Sequence, residues 1–383
     1  MFHKGLWYYH VKQSKYILLG FWLVAIFSGF LLYNHAGNVE QNILYFQKHH
    51  TNDPYHYYFN TDFQIVSLLQ LLLCAGLATY LIGSARSNQS LDYMYSLPVK
   101  RENLFLSKFF IGLVHIVGST TLSLMIHLVI LETSVLKDFI PVHIFWVYYV
   151  HQLLILIGIY AFSLWLGLIA GNMISHLALC AILPFIPYGL YSLLNELVSL
   201  HAFAFGNMDL REWWFFRDAT EAFFLNISFP IKLMDIQQLF HQEQYIRQDL
   251  PSDLIQNIRS IYYSLTSFAV PVITTLASLW GIVRMSKGSL NEYNGNVLLS
   301  SKLRPFLTAG VMVCAFLFGG MIIEGMLGNH FYSYDEFGNE LINETKKYQM
   351  NLIIFYISAI ISAMLGYFIL RITMRLKLHT RKG

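Results

Sequence analysis

Histidines are the side chains of this chain with the broadest chemical reach, and their spacing separates two kinds of candidate site. His49, His50 and His56, with Asp53 and His35 nearby, could hold Zn²⁺ between imidazole nitrogens and a carboxylate. Adjacent residues on a polar stretch read equally as a solvated loop. His115, His127 and His151 fall instead inside long apolar runs. Ionisable groups at such depth could line a polar pathway or relay protons, or could simply hydrogen-bond one helix to another. Cys74, Cys180 and Cys314 also sit in apolar runs, without metal-like or disulfide-like spacing, and read as small core residues. No G-x-x-x-x-G-K-[ST] phosphate loop, H-E-x-x-H, G-x-S-x-G or C-x-x-C occurs. The usual routes to nucleotide, peptide-bond, ester and redox chemistry therefore lack their residues, and the sequence assigns no catalytic, metal or cofactor site to this chain.

The elements that position these residues follow from composition. Of the 383 residues, 56% are hydrophobic and only 12% charged, against about 25% charged in an ordinary soluble domain. Such a chain cannot cover a water-facing surface, so its apolar excess faces lipid. A helical span needs about 20 mostly apolar residues. Eight stretches qualify, at residues 16–33, 63–84, 109–131, 144–170, 175–198, 261–283, 305–326 and 352–371. Helices are expected because lipid offers backbone groups no partners and no barrel-like alternation is present. The fold class is an all-α polytopic membrane protein with about eight transmembrane helices and amphipathic interfacial helices.

Most of the 25 Lys and Arg residues, among them Lys12, Lys15, Arg86, Lys100, Arg101, Lys108, Arg284, Lys287, Arg371 and Arg375, fall on one side when both termini are cytoplasmic. The positive-inside bias thus predicts cytoplasmic termini. Residues 1–15, with Leu6-Trp7-Tyr8-Tyr9 between lysines, read as an amphipathic elbow on the inner leaflet. Residues 16–383 read as one transmembrane domain, with a cytoplasmic loop at 85–108 and an extracellular region at 199–259. Within the latter, Trp213, Trp214, Phe215 and Phe216, flanked by charges, read as an outer interfacial anchor. Gly167-x-x-x-Gly171 permits close helix contact and is a weak candidate for a dimer seam. Pro184 and Pro187 predict a kink in the fifth span, and Asn226-Ile227-Ser228 fits the glycosylation acceptor pattern.

The loop at 85–108 is the most informative polar segment. A short helix over residues 88–96 should end at Leu97-Pro98, because the residue before proline avoids the α region. Leu91, Met94 and Tyr95 then share one face, while Asp92 and Ser96 stay polar. Pro98 can restart a helix in its first turn, with Glu102 favourable near the new N-terminus. On residues alone the loop could do no more than set topology by its charge.

The phrase Asp92-x-x-x-Ser96-Leu97-Pro98-x-Lys100-Arg101, followed by Lys108 at the head of the next span, resembles the permease subunits of ABC-2-type transporters. Those permeases carry a similar Ser-Leu-Pro-x-x-Arg phrase between the second and third spans, in a coupling helix that docks on the ATPase. Lys100 stands where a small polar residue is commoner. The resemblance implies that Leu91, Asp92, Met94, Tyr95, Leu97, Pro98, Lys100 and Arg101 form an ATPase-docking loop. It implies cytosolic ATPase subunits that bind ATP and Mg²⁺, a second permease copy or homologue, and export or extraction of an amphiphilic, peptide-like or lipid-like substrate at the cell membrane. Nothing points to nucleic acid. Two other functions remain open: a proton-coupled secondary transporter using His115, His127 and His151, and a non-transporting sensor or assembly partner.

Overall fold

Apolar length sets the architecture. Eight helices are long and apolar enough to cross a membrane: Gly5–His49, Phe63–Ser87, Arg101–Thr133, Val142–Gly167, Met173–Phe205, Leu265–Lys287, Arg304–Leu327 and Lys346–Thr373. They coincide with the eight expected spans. The computed structural model describes residues 4–49, 55, 57–88, 90–96, 98–205, 220–221, 223–240, 265–287, 297–299, 303–327 and 344–375. Among the described residues there is no strand. The helices are labelled α1 (Lys4–His49), α2 (Phe63–Ala78), α3 (Ser90–Ser96), α4 (Arg101–Thr133), α5 (Val142–Gly167), α6 (Met173–Ile182), α7 (Ile186–Phe205), α8 (Phe229–Asp235), α9 (Leu265–Lys287), α10 (Arg304–Leu327) and α11 (Glu344–Arg375).

The chain divides into two compact units, Met1–Pro184 with Phe229–Asn294, and Phe185–Ser228 with Gly295–Gly383. In the first, α1, α2, α4 and α5 enclose a core of Leu32, Phe63, Val66, Leu131, Ile144 and Phe145, into which Phe240 inserts. Phe240 stacks on Phe59 with ring centroids 4.4 Å apart. In the second, Leu200 and Ala204 of α7 pack with Leu317 of α10 and with Leu352, Phe355 and Ala359 of α11.

Some polar residues inside the first unit pair across helices, which offsets the cost of burying them. Gln152 Nε2 donates to Gln70 Oε1 at 2.8 Å, joining α5 to α2. The hydroxyls of Ser28 and Ser123 lie 2.7 Å apart, joining α1 to α4. Changing Gln70 to Leu alone should orphan a buried amide and cost about 1–3 kcal/mol. The double change Gln70→Leu with Gln152→Leu should recover most of that loss. Thermal unfolding in detergent checks the pair, and equal losses in the single and double variants would contradict it.

Several expectations change. Helix α1 runs unbroken for 46 residues, about 69 Å at 1.5 Å per residue, more than twice a bilayer core of about 30 Å. Residues 4–15 therefore continue the helix of the first span instead of forming a separate elbow. Residues 34–49, beyond the first expected span at 16–33, are helical too, and Ala36 and Val39 bury against the core. The break expected at the prolines of the fifth span is present as a 3₁₀ turn, Leu183–Phe185, centred on Pro184. Gly167 serves an intrachain contact: a Cβ there would stand 2.7 Å from His176 Cε1, so its small size lets α6 fold back on α5. Asn226 and Ser228 are buried, so that acceptor pattern is shielded.

Candidate functional site

Helix α2 does not end cleanly. It passes into a π-helical turn, Thr79–Ser84, and then a short helical segment, Ala85–Ser87. Asn88 leaves the helical region (φ −94°, ψ 8°), and the hydroxyl of Ser90 donates to Ala85 O at 3.2 Å, bridging the break. Helix α3 follows and stops at Ser96, whose hydroxyl donates to Tyr93 O at 2.7 Å. The restart comes later than proline alone suggested. Lys100 is extended (φ −60°, ψ 132°) and caps α4, which begins at Arg101. Glu102 in the first turn complements the helix dipole and pairs with Lys287 of α9 at 3.3 Å.

The side chains of the loop fall into two groups. Met94 is buried at 4% exposure, whereas its neighbour Tyr93 is 72% exposed. Tyr95 is half-buried, with the Arg101 guanidinium 4.5 Å from its ring centre. Pro98, Lys100 and Arg101 are exposed. Leu97 and the side chains of Leu91 and Asp92 lie outside the described residues. Tyr93 escaped sequence reasoning because the apolar face was drawn through Met94, which turns inward.

Beneath the loop, polar groups gather in a fully enclosed base. Lys108 has no exposure and its Nζ donates to Leu81 O at 2.6 Å. Its own carbonyl accepts from Tyr160 Oη at 2.7 Å. His176 Nε2 donates to Ser163 O at 2.8 Å, which fixes the tautomer when the ring is neutral. Arg86 is 3% exposed, and its Nε and Nη2 find no hydrogen-bond partner among the described residues. Such groups are expensive to bury. The hint in the sequence was a basic residue on each side of the loop; burial could not be read from it.

The span histidines occupy separate contacts. His115 Nδ1 accepts from Trp22 Nε1 at 3.1 Å. His127 stacks on Phe63 with centroids 5.4 Å apart, and His151 stacks on Phe268 at 4.1 Å. His115 and His127 are about 18 Å apart along α4. His35 bonds to Tyr57 Oη at 2.9 Å and packs on Phe59. Among the described residues no group of three His, Cys, Asp or Glu could hold a metal. His50, Asp53 and His56 lie outside them, as do Trp213, Trp214, Phe215 and Phe216.

Residues 9–192, which run from within α1 through the loop and α6 into the start of α7, match the model of a family described as ABC-2 family transporter protein. The chain carries an ABC-2 family transporter region. It has eight helices long and apolar enough to cross a membrane, and over residues 9–192 it is similar to the membrane component of ABC-2 family transporters. Comparison with curated proteins and with solved structures returns no match. The ABC-2 region encloses the whole loop and its buried base, so the resemblance noted from a short phrase extends over the helices that carry it.

Proposed function

We propose that this ABC-2 permease is a passive lever driven by a separate cytosolic ATPase, which pushes on the loop around α3. The carrying observation is the position of α3: a short helix with an outward Tyr93, set between two spans inside the family-matched region. Its charge bias supports a cytoplasmic placement for the loop and both termini. ATP-driven closure of the ATPase would move α2 and α4 together and change access to a path for an amphiphilic, peptide-like or lipid-like substrate, in concert with a second permease copy or homologue. The histidine-based carrier reading gains no observation, since each histidine is engaged in its own aromatic contact.

Co-expression with a cytosolic ABC ATPase from the same genome tests the proposal. A stable complex whose ATP hydrolysis responds to the permease is expected. ATP-independent, pH-gradient-driven uptake by liposomes containing the permease alone would overturn it. A cysteine placed at Tyr93 should react with a membrane-impermeant maleimide only from the cytoplasmic side; labelling from outside intact cells would reverse the topology.

A further inference from the structure

We infer that Lys108 is a positioning residue that fastens the two arms of the α3 loop into one lever, a role resting on the driven-lever reading above. The chain runs from α2 through the π-helical turn Thr79–Ser84 to α3 and on into α4. Lys108 and Leu81 are 27 positions apart in sequence, on opposite sides of α3, so their hydrogen bond closes the loop at its base. The π turn widens α2 just there, and such turns cluster at functional places in helices. Lys108 also receives the Tyr160 hydroxyl on its carbonyl. One residue thus links α4 to the end of α2 and to α5, and all three participants have no exposure.

Packing alone would be served by Leu or Met at position 108. A buried ammonium is expensive in this setting, and Leu81 O is its one hydrogen-bond acceptor among the described residues. Arg86 lies within electrostatic reach of Lys108, so a second basic side chain stands near the tie. What the lysine adds over an apolar residue is a directional tie to a backbone carbonyl. With it, force on α3 reaches α2, α4 and α5 together. Without it, α3 pivots on either arm alone.

Hydrogen exchange on the purified permease tests the linkage. In Lys108→Met, which keeps length and apolar volume, amides of Thr79–Ser84 and of residues 104–110 should both exchange about tenfold faster, the effect of losing one hydrogen bond to a charged donor. Those of α9 and α11 should keep their wild-type rates. Lys108→Arg should restore protection in both arms. Should Lys108→Met fail to insert, Lys108→Gln, whose donor is too short to reach Leu81 O, gives the same comparison. Acceleration of one arm, of neither, or of the whole protein would overturn the inference. With the ATPase present, the Met variant should still bind it and hydrolyse ATP, while vanadate trapping no longer alters exchange in α5; an unchanged α5 response would also overturn it. If the wild-type permease binds no ATPase, the docking reading fails, and exchange in the permease alone still decides the linkage.

Discussion

Tyr93→Asp should abolish association with the ATPase while leaving the permease folded and inserted. Tyr93 presents a large aromatic side chain at 72% exposure on a short helix of the polar loop. Aromatic anchors of this kind, once enclosed by a partner, commonly cost about 2–4 kcal/mol when lost. That corresponds to roughly 30- to 700-fold weaker binding, and a buried carboxylate would add to it. Tyr93→Phe should bind nearly as the wild type. The inward Met94 makes the contrast: Met94→Asp should lower thermal stability, because it forces a charge into a site that is 4% exposed. Affinity measured between detergent-purified permease and ATPase, alongside thermal unfolding of each variant, separates the two. Equal binding by wild type and Tyr93→Asp would remove this face of α3 from the docking surface.

Gly112→Val should be the most damaging single substitution in the base of the loop. An added Cβ would stand 2.2 Å from Cε1 and 2.6 Å from Oη of Tyr160, whose ring has no exposure and therefore no room to swing away. Overpacking of this kind costs about 1–3 kcal/mol and occasionally more. It should also break the Tyr160 bond to Lys108 O. Tyr160→Phe should not rescue the variant, since the ring carbons clash as well as the hydroxyl, whereas Tyr160→Leu should recover part of the loss. Thermal unfolding of the permease in detergent checks the series. A stable Gly112→Val protein with an intact Tyr160 contact would contradict the close approach of α4 and α5.

Membrane insertion and helical spans were legible from residue type, because a lipid interior punishes exposed charge and unpaired backbone wherever they occur along the chain. The phrase around Ser96-Leu97-Pro98 was legible for a local reason: proline ends a helix through contacts with its own neighbours. Helix ends were harder. Residues 34–49 carry polar side chains typical of a loop, yet Ala36 and Val39 pack on the core and draw them into α1. The Gly167 pattern pointed to a partner subunit, whereas its neighbour is His176 of the same chain.

Sequence alone therefore determined the solvent this protein lives in, the number of its spans and the place of its polar loop between the second and third of them, since each depends on short-range composition. Only the tertiary structure decided that Tyr93 faces out while Met94 faces in, and that Lys108 reaches Leu81 across the loop. Those outcomes depend on which helices meet, and residues 27 positions apart in the chain become neighbours only when α2 and α4 pack.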